Sequence, residues 1–292
     1  MQKYLKHFNL VEDPFSATPD TRFYVENTKT HTLFPQMIEA VNQDDGFIRI
    51  VGDAGSGKTL HCRKVLNALR CHKTRYRVIH IPHSRLSEEG LYLAIAQELR
   101  LKPTPNTSLR ESLIAHLKDI NERGKINPVI IIDEGQSMPD DTLEALIDLI
   151  DQSPNKRKLL RVALFSMPLE EQQENKFIDR EIGDRTTLMR ELESFDKEGV
   201  IRYLNMRLAK AGYNQDPLFS SEAASLIARI SKGVPRIVNL LAQKSIMNAY
   251  NANLNQAQAH QVRLAAATID TSYLDELDFK PSWFNRLRGR AS

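Results

Sequence analysis

Cysteine is scarce in this chain, with two in 292 residues, which excludes a disulfide-stapled fold. Cys62 follows His61 and Cys71 precedes His72. Adjacent helix residues point apart, and the two pairs lack the spacing of zinc ligands, so Cys62 reads as a buried helix cysteine rather than a metal ligand. Long apolar runs are also missing: none approaches the roughly 18 residues that span a bilayer. The opening Met1-Gln2-Lys3-Tyr4-Leu5-Lys6-His7-Phe8 has no apolar signal core, so a cytoplasmic protein is expected. Neither charge sign dominates: 40 Lys and Arg against 37 Asp and Glu give +3, too little by itself to indicate a nucleic-acid binder. Only the tail is polarised, with Lys280, Arg286, Arg288 and Arg290 following a stretch that carries Asp270, Asp275, Glu276 and Asp278. No internal repeat or low-complexity tract is evident.

What is present is a soluble composition, 41% hydrophobic and 26% charged, in a chain long enough for two domains. It is organised around Phe47-Ile48-Arg49-Ile50-Val51 followed by Gly52-Asp53-Ala54-Gly55-Ser56-Gly57-Lys58-Thr59-Leu60. An apolar strand runs into a glycine-rich turn, and Gly57-Lys58-Thr59 opens an amphipathic helix. That is the context of a phosphate-binding loop. Small residues let successive N–H groups turn inward around a polyphosphate at the positive end of a helix. Residues Gly52, Asp53, Ala54, Gly55, Ser56, Gly57, Lys58, Thr59 and Leu60 are therefore the candidate ATP-binding set. Lys58 reaches the β- and γ-phosphates, and the Thr59 hydroxyl is a candidate Mg²⁺ ligand.

Strands and helices alternate from there. Tyr76–Ile81, Pro128–Ile132 and Leu159–Phe165 read as strands, the second a β-branched run typical of a sheet covered on both faces. Between them lie helical patterns, one begun by a Ser108/Glu111 capping box and another capped by Asp140 or Asp141. Beyond Leu192 only helical patterns follow. The predicted class is α/β, a doubly wound parallel sheet with a C-terminal helical lid domain. The expected boundaries are 1–194 for an N-terminal strap and nucleotide-binding domain, 195–268 for the lid, and 269–292 for a basic aromatic tail. The strap, with Phe8, Phe15, Phe23 and Tyr24, either lines a base pocket or covers apolar surface.

Asp133 and Glu134 end the buried strand, where ligands bind in open α/β sheets. This matches a Walker B arrangement: Asp133 holds Mg²⁺ and Glu134 polarises the attacking water, which favours hydrolysis over passive binding. Ser166 and Gln136 are further candidates for the γ-phosphate end. Arg236 begins a helix after Gly233-Val234-Pro235 and is a candidate lid arginine. Arg180 and Arg185 are candidate arginine fingers, and spacing alone does not choose between them.

These residues resemble the AAA+ ATPases and, more narrowly, the secretion ATPase family typified by ExeA/GspA. The resemblance covers about residues 4–268 and includes the opening Tyr4-Leu5…Phe8-Asn9-Leu10…Pro14-Phe15…Thr18-Pro19-Asp20…Phe23, then Asp133-Glu134…Gln136 and Gly233-Val234-Pro235-Arg236…Asn239. Longer members continue into a membrane span and a peptidoglycan-binding domain, so the chain is more similar to the short MshM-type members of MSHA pilus biogenesis. The resemblance implies a cytoplasmic Mg²⁺-dependent ATPase that forms homo-oligomers, either rings, of which a hexamer is one form, or other assemblies. It also implies inner-membrane pilus or type II secretion components as partners, and Arg185 rather than Arg180 as the finger. The chain departs from the family in three places: Ser166-Met167-Pro168 replaces Gly-Gln-Pro, Gly135 replaces alanine, and His83-Ser84 replaces Asn-Pro. Because a methionine side chain cannot bond a γ-phosphate, the hydrolysis rate is the property most exposed to these changes.

The other reading is an ATP-dependent DNA-binding regulator of transposition, although no helix-turn-helix or zinc knuckle accompanies it. The tail Trp283-Phe284-Asn285-Arg286-Leu287-Arg288-Gly289-Arg290 is a candidate for docking on a partner or for peripheral contact with the inner membrane.

Overall fold

The computed structural model describes residues 3–27, 31–43, 46–102, 106–123, 126–152, 158–168 and 182–269. In chain order the elements are α1 (Lys3–His7), α2 (Leu33–Val41), β1 (Phe47–Val51), α3 (Lys58–Cys71), β2 (Tyr76–Ile81), α4 (Glu88–Leu99), α5 (Leu109–Glu122), β3 (Asn127–Ile132), α6 (Asp140–Asp151), β4 (Arg161–Ser166) and β5 (Leu188–Glu191). Then come α7 (Lys197–Lys210), α8 (Ser221–Ser231), α9 (Pro235–Asn251) and α10 (Ala259–Ala267). Contacts divide the chain into two compact units, one of residues 32–52 and 58–192, the other of 1–31, 53–57 and 193–292.

The first unit is the α/β one. Its five strands are parallel in the order β2-β3-β4-β1-β5. Alternate side chains leave opposite faces of each strand, and both faces are apolar. Val129 and Ile131 join Ile48, Ile50, Ala163 and Phe165 in one core, with Val65 and Leu69 of α3. Ile130 and Ile132 join Phe47, Val162 and Leu164 in another, with Leu91 and Ile95 of α4 and Leu146 and Leu149 of α6. A β-branched run buried on both sides is thus what the interior strand β3 needs. The Ser108/Glu111 capping box forms as expected, with the Glu111 N–H donating to Ser108 Oγ at 3.2 Å.

Two details differ from the sequence expectation. Pro139, not Asp140 or Asp141, is the N-cap of α6, and both aspartates fall in its first turn, where their charge meets the helix dipole. Strand β5 was not expected. Its Leu188-Met189-Arg190-Glu191 is largely exposed at the sheet edge and lacks an apolar run, so only pairing with β1 makes it a strand.

The second unit is helical, with α7 to α10 around one core. The N-terminal strap belongs here, which corrects the 1–194 grouping with the α/β domain. Phe8, Leu10, Phe15, Phe23 and Val25 are buried in the same core as Leu204, Ile227 and Leu241. Burial of these aromatics removes Phe8, Phe15 and Phe23 as walls of an open base pocket and supports the covering role. A buried arginine pins the strap: Arg207 Nε donates to the Pro14 carbonyl at 2.5 Å, Nη1 donates to Tyr203 Oη at 2.8 Å, and the guanidinium lies 5.0 Å from the Phe23 ring centroid. Arg180 and the tail from residue 270 lie outside the described residues. Among the described residues no helix is long and apolar enough to cross a membrane.

Candidate nucleotide-phosphate site

Strand β1 delivers the chain to Gly52 with its backbone anchored, since the Gly52 N–H donates to the Ser166 carbonyl at 3.2 Å. At the start of α3, Lys58 is only 5% exposed and its Nζ donates to the Gly52 carbonyl at 2.8 Å. A buried ammonium at the start of a helix is a cation suited to an anion. The intervening Asp53–Gly57 is folded by a turn in which Ser56 N–H donates to the Asp53 carbonyl at 3.1 Å. Gly55 and Gly57 have φ of 82° and 100°, conformations that side chains resist. At Gly55 space adds to the requirement: a Cβ there would lie 2.9 Å from Arg236 Cβ. Ser56 Oγ is buried without a hydrogen-bond partner, an unmet polar group suited to a ligand oxygen. Ala54 packs partly on the helical core, while Leu60 is half-buried on α3.

The candidate metal pair comes together within the α/β unit. Asp133, 5% exposed at the end of β3, is hydrogen-bonded to the Thr59 side chain. Burial raises its carboxyl above the usual carboxylate range, against the lowering effect of bonds from Thr59 and the Glu134 N–H. A buried carboxylate beside a hydroxyl is a hard oxygen donor set that fits Mg²⁺. Among the described residues no group of three or more His, Cys, Asp or Glu forms a metal cage; Cys62 is buried and burial raises its thiol, while Cys71 is exposed.

Glu134 is held in an unusual way. Its backbone is left-handed, with φ 56° and ψ 39°, rare for a residue with a side chain. Ser84 Oγ donates to its carbonyl at 2.5 Å. Gln136 Nε2 donates to Glu134 Oε2 at 2.5 Å, and Gln136 Oε1 accepts the Met167 N–H at 2.9 Å. Met167 therefore takes part through its backbone although its side chain cannot. Ser84 was missed by sequence reasoning, which registered it only as a departure; only the fold sets the end of β2 beside that of β3. Ser166 Oγ, expected near the attacking water, is buried without a hydrogen-bond partner. A Cβ at Gly135 would lie 2.4 Å from Leu164 Cδ1, so an alanine there would require that side chain to shift.

The two arginines are placed differently. Arg236 is exposed on α9, and its N–H donates to the Gly55 carbonyl at 3.3 Å. Arg185 Nη2 donates to Asp151 Oδ2 at 2.9 Å, and Lys158 binds the other carboxylate oxygen of Asp151. Although burial acts the other way, these two bonds hold Asp151 below the ordinary carboxylate value. Arg185 is thus engaged inside its own unit.

The parallel sheet and the phosphate loop at the end of β1 define the class: an α/β P-loop fold of the AAA+ type. Residues 41–173 match the AAA domain family model. Over 270 residues, 90% of the chain, the sequence is 27% identical to general secretion pathway protein A of Aeromonas hydrophila, and the chain spans 48% of that relative's length. Among solved structures, Cdc6p of Pyrobaculum aerophilum superposes with a TM-score of 0.66 at 19% identity, covering 91% of this chain and 74% of that one. The Aeropyrum pernix ORC1 protein in complex with DNA gives 0.66 at 15% identity, with 97% and 75% covered. The Thermotoga maritima RuvB Holliday junction branch migration motor gives 0.51 at 14%, with 92% and 85% covered. At such identities the likeness is one of fold.

Proposed function

We propose that the protein is a Mg²⁺-dependent ATPase that serves as a motor or assembly switch in type II secretion or in biogenesis of an MSHA-like type IV pilus. The observation that carries the ATPase reading is the buried Lys58 ammonium close in sequence to Thr59, whose side chain bonds the Asp133 carboxylate. Backbone N–H groups of Gly52 to Leu60 and the Lys58 ammonium bind the polyphosphate. Thr59 and Asp133 would hold Mg²⁺, which would supply neutralisation of phosphate charge. Glu134, held by Gln136, orients the water and accepts its proton. Arg236, whose N–H bonds the Gly55 carbonyl, acts as the lid arginine, and Arg185 acts toward a neighbouring subunit of a homo-oligomeric ring.

The secretion and pilus assignment is supported by similarity to general secretion pathway protein A. It makes inner-membrane assembly components the expected partners and a place at the cytoplasmic side of that membrane the expected location. Steady-state ATP hydrolysis at rising protein concentration, alone, with anionic liposomes and with duplex DNA, tests it. Turnover that rises with concentration and with liposomes supports the proposal. Stimulation by DNA alone replaces the assembly role with DNA-dependent regulation, and failure to bind ATP ends the ATPase reading.

A further inference from the structure

Strand β2 ends the sheet, and among the described residues no strand pairs with its outer side. Its pairing with β3 tells which backbone groups face outward. The Asn127 N–H donates to the Arg75 carbonyl at 2.8 Å and the Asp133 N–H to the Ile81 carbonyl at 3.0 Å. Odd-numbered residues therefore turn toward β3, and strand alternation turns the N–H and C=O of Val78 and His80 outward. The outward N–H of Tyr76 is already given to the His72 carbonyl at 2.9 Å.

Beside this edge runs an open groove of about 710 Å³, lined by Val78 and by exposed Arg70, Lys73, Arg77 and Arg100. Glu98 is the one carboxylate lining it, 3.7 Å from Arg70. The surroundings are electropositive: burial, then Arg70, Arg63 and His83, hold His80 below the usual histidine value, while Glu98 opposes them. Arg70 in the last turn of α3 and Arg100 at the C-cap of α4 have a local reason to be there, since helix C-termini favour cations. Arg77 stands within the edge strand itself. A charged residue there opposes pairing with another copy, which would set cations against cations. The same charges favour an acidic strand.

We propose that the β2 edge is a docking site for an extended acidic segment of a partner protein. The segment adds a strand beside β2, bonds the backbone of Val78 and His80, and sets its carboxylates against Arg70, Lys73, Arg77 and Arg100. This does not depend on the ATPase reading.

The test titrates the full chain with a labelled peptide of alternating glutamate and valine, its lysine and valine counterpart, and a single-stranded oligonucleotide. Only the acidic peptide is expected to bind. Its affinity should fall about tenfold in Arg77→Glu/Arg100→Glu, the sum of two reversed exposed charge pairs, and hydrogen exchange at the Val78 and His80 amides should slow on binding. Both substituted side chains are exposed, so an unchanged melting temperature checks that the variant folds. Exchange protection of the unsubstituted chain gives a reading even if the variant does not fold. No peptide binding, binding without protection at those amides, unchanged affinity in the folded variant, or binding of the oligonucleotide in place of the peptide would each overturn the proposal.

Discussion

Gln136 bonds Glu134 and Met167 at once: its Nε2 donates to Glu134 Oε2 at 2.5 Å while its Oε1 accepts the Met167 N–H at 2.9 Å. One amide thus fixes the side chain that would orient water against the backbone that follows β4. Replacing Gln136 by alanine frees the carboxylate to rotate, and a hydrogen bond to a charged group is worth roughly 1.5–3 kcal/mol. kcat for ATP hydrolysis should fall at least about tenfold with KM changed less than about twofold. Steady-state kinetics beside nucleotide binding reads both. A rise in kcat would mean that Gln136 restrains Glu134 rather than positions it.

Lys58→Ala and Glu134→Gln should separate binding from chemistry. The first removes the buried Lys58 ammonium and should abolish nucleotide binding by calorimetry. The second keeps size and loses the base, so binding should persist while turnover drops about a hundredfold or more. Equal turnover in Glu134→Gln would take that residue out of the mechanism.

Asp133 is held above the ordinary carboxylate value chiefly by burial. A raised folded value means that the native state binds the proton more tightly than the unfolded chain does. This contribution to stability is present below the unfolded Asp value of about 3.9 and is lost as pH rises through the raised value. In metal-free buffer at neutral pH, Asp133→Asn should therefore keep or raise the melting temperature. It should also abolish the stabilisation that Mg²⁺ with ATP gives the unsubstituted protein. Thermal melts with and without Mg²⁺ and nucleotide measure both effects.

The Arg185–Asp151 pair behaves in the opposite sense. Bonds from Lys158 and Arg185 leave Asp151 below its ordinary value despite burial, so its contribution is complete above the unfolded value and is lost as pH falls through the folded one. Both groups are partly exposed, which keeps the effect on stability small. Arg185→Ala should leave ATP binding intact and remove the rise of turnover with protein concentration. Asp151→Asn should preserve that rise. Turnover that still climbs with concentration in Arg185→Ala would exclude it as the finger.

Arg207 is 4% exposed and joins the Pro14 carbonyl, Tyr203 and the Phe23 ring. Arg207→Ala would leave a buried carbonyl without its donor and a gap among aromatics, at a cost of about 2–4 kcal/mol. Chemical denaturation should show that loss. Limited proteolysis should then release the strap before it cuts α9.

The sequence alone determined the parts whose physics is local. The candidate phosphate loop lies in nine consecutive residues, the β3 run carries its own burial on both faces, and the Ser108/Glu111 box spans four positions. Tertiary structure decided what depends on distant segments. Strand β5 exists only because β1 offers it a partner. The strap went to the helical unit because its aromatics found an apolar core there, and their hydrophobicity alone did not say which core. Ser84 reaches Glu134, and Gln136 reaches Met167, because a parallel sheet aligns the ends of strands far apart in the chain. Sequence supplied the residue types at those ends; the register of β2, β3 and β4 decided which of them touch.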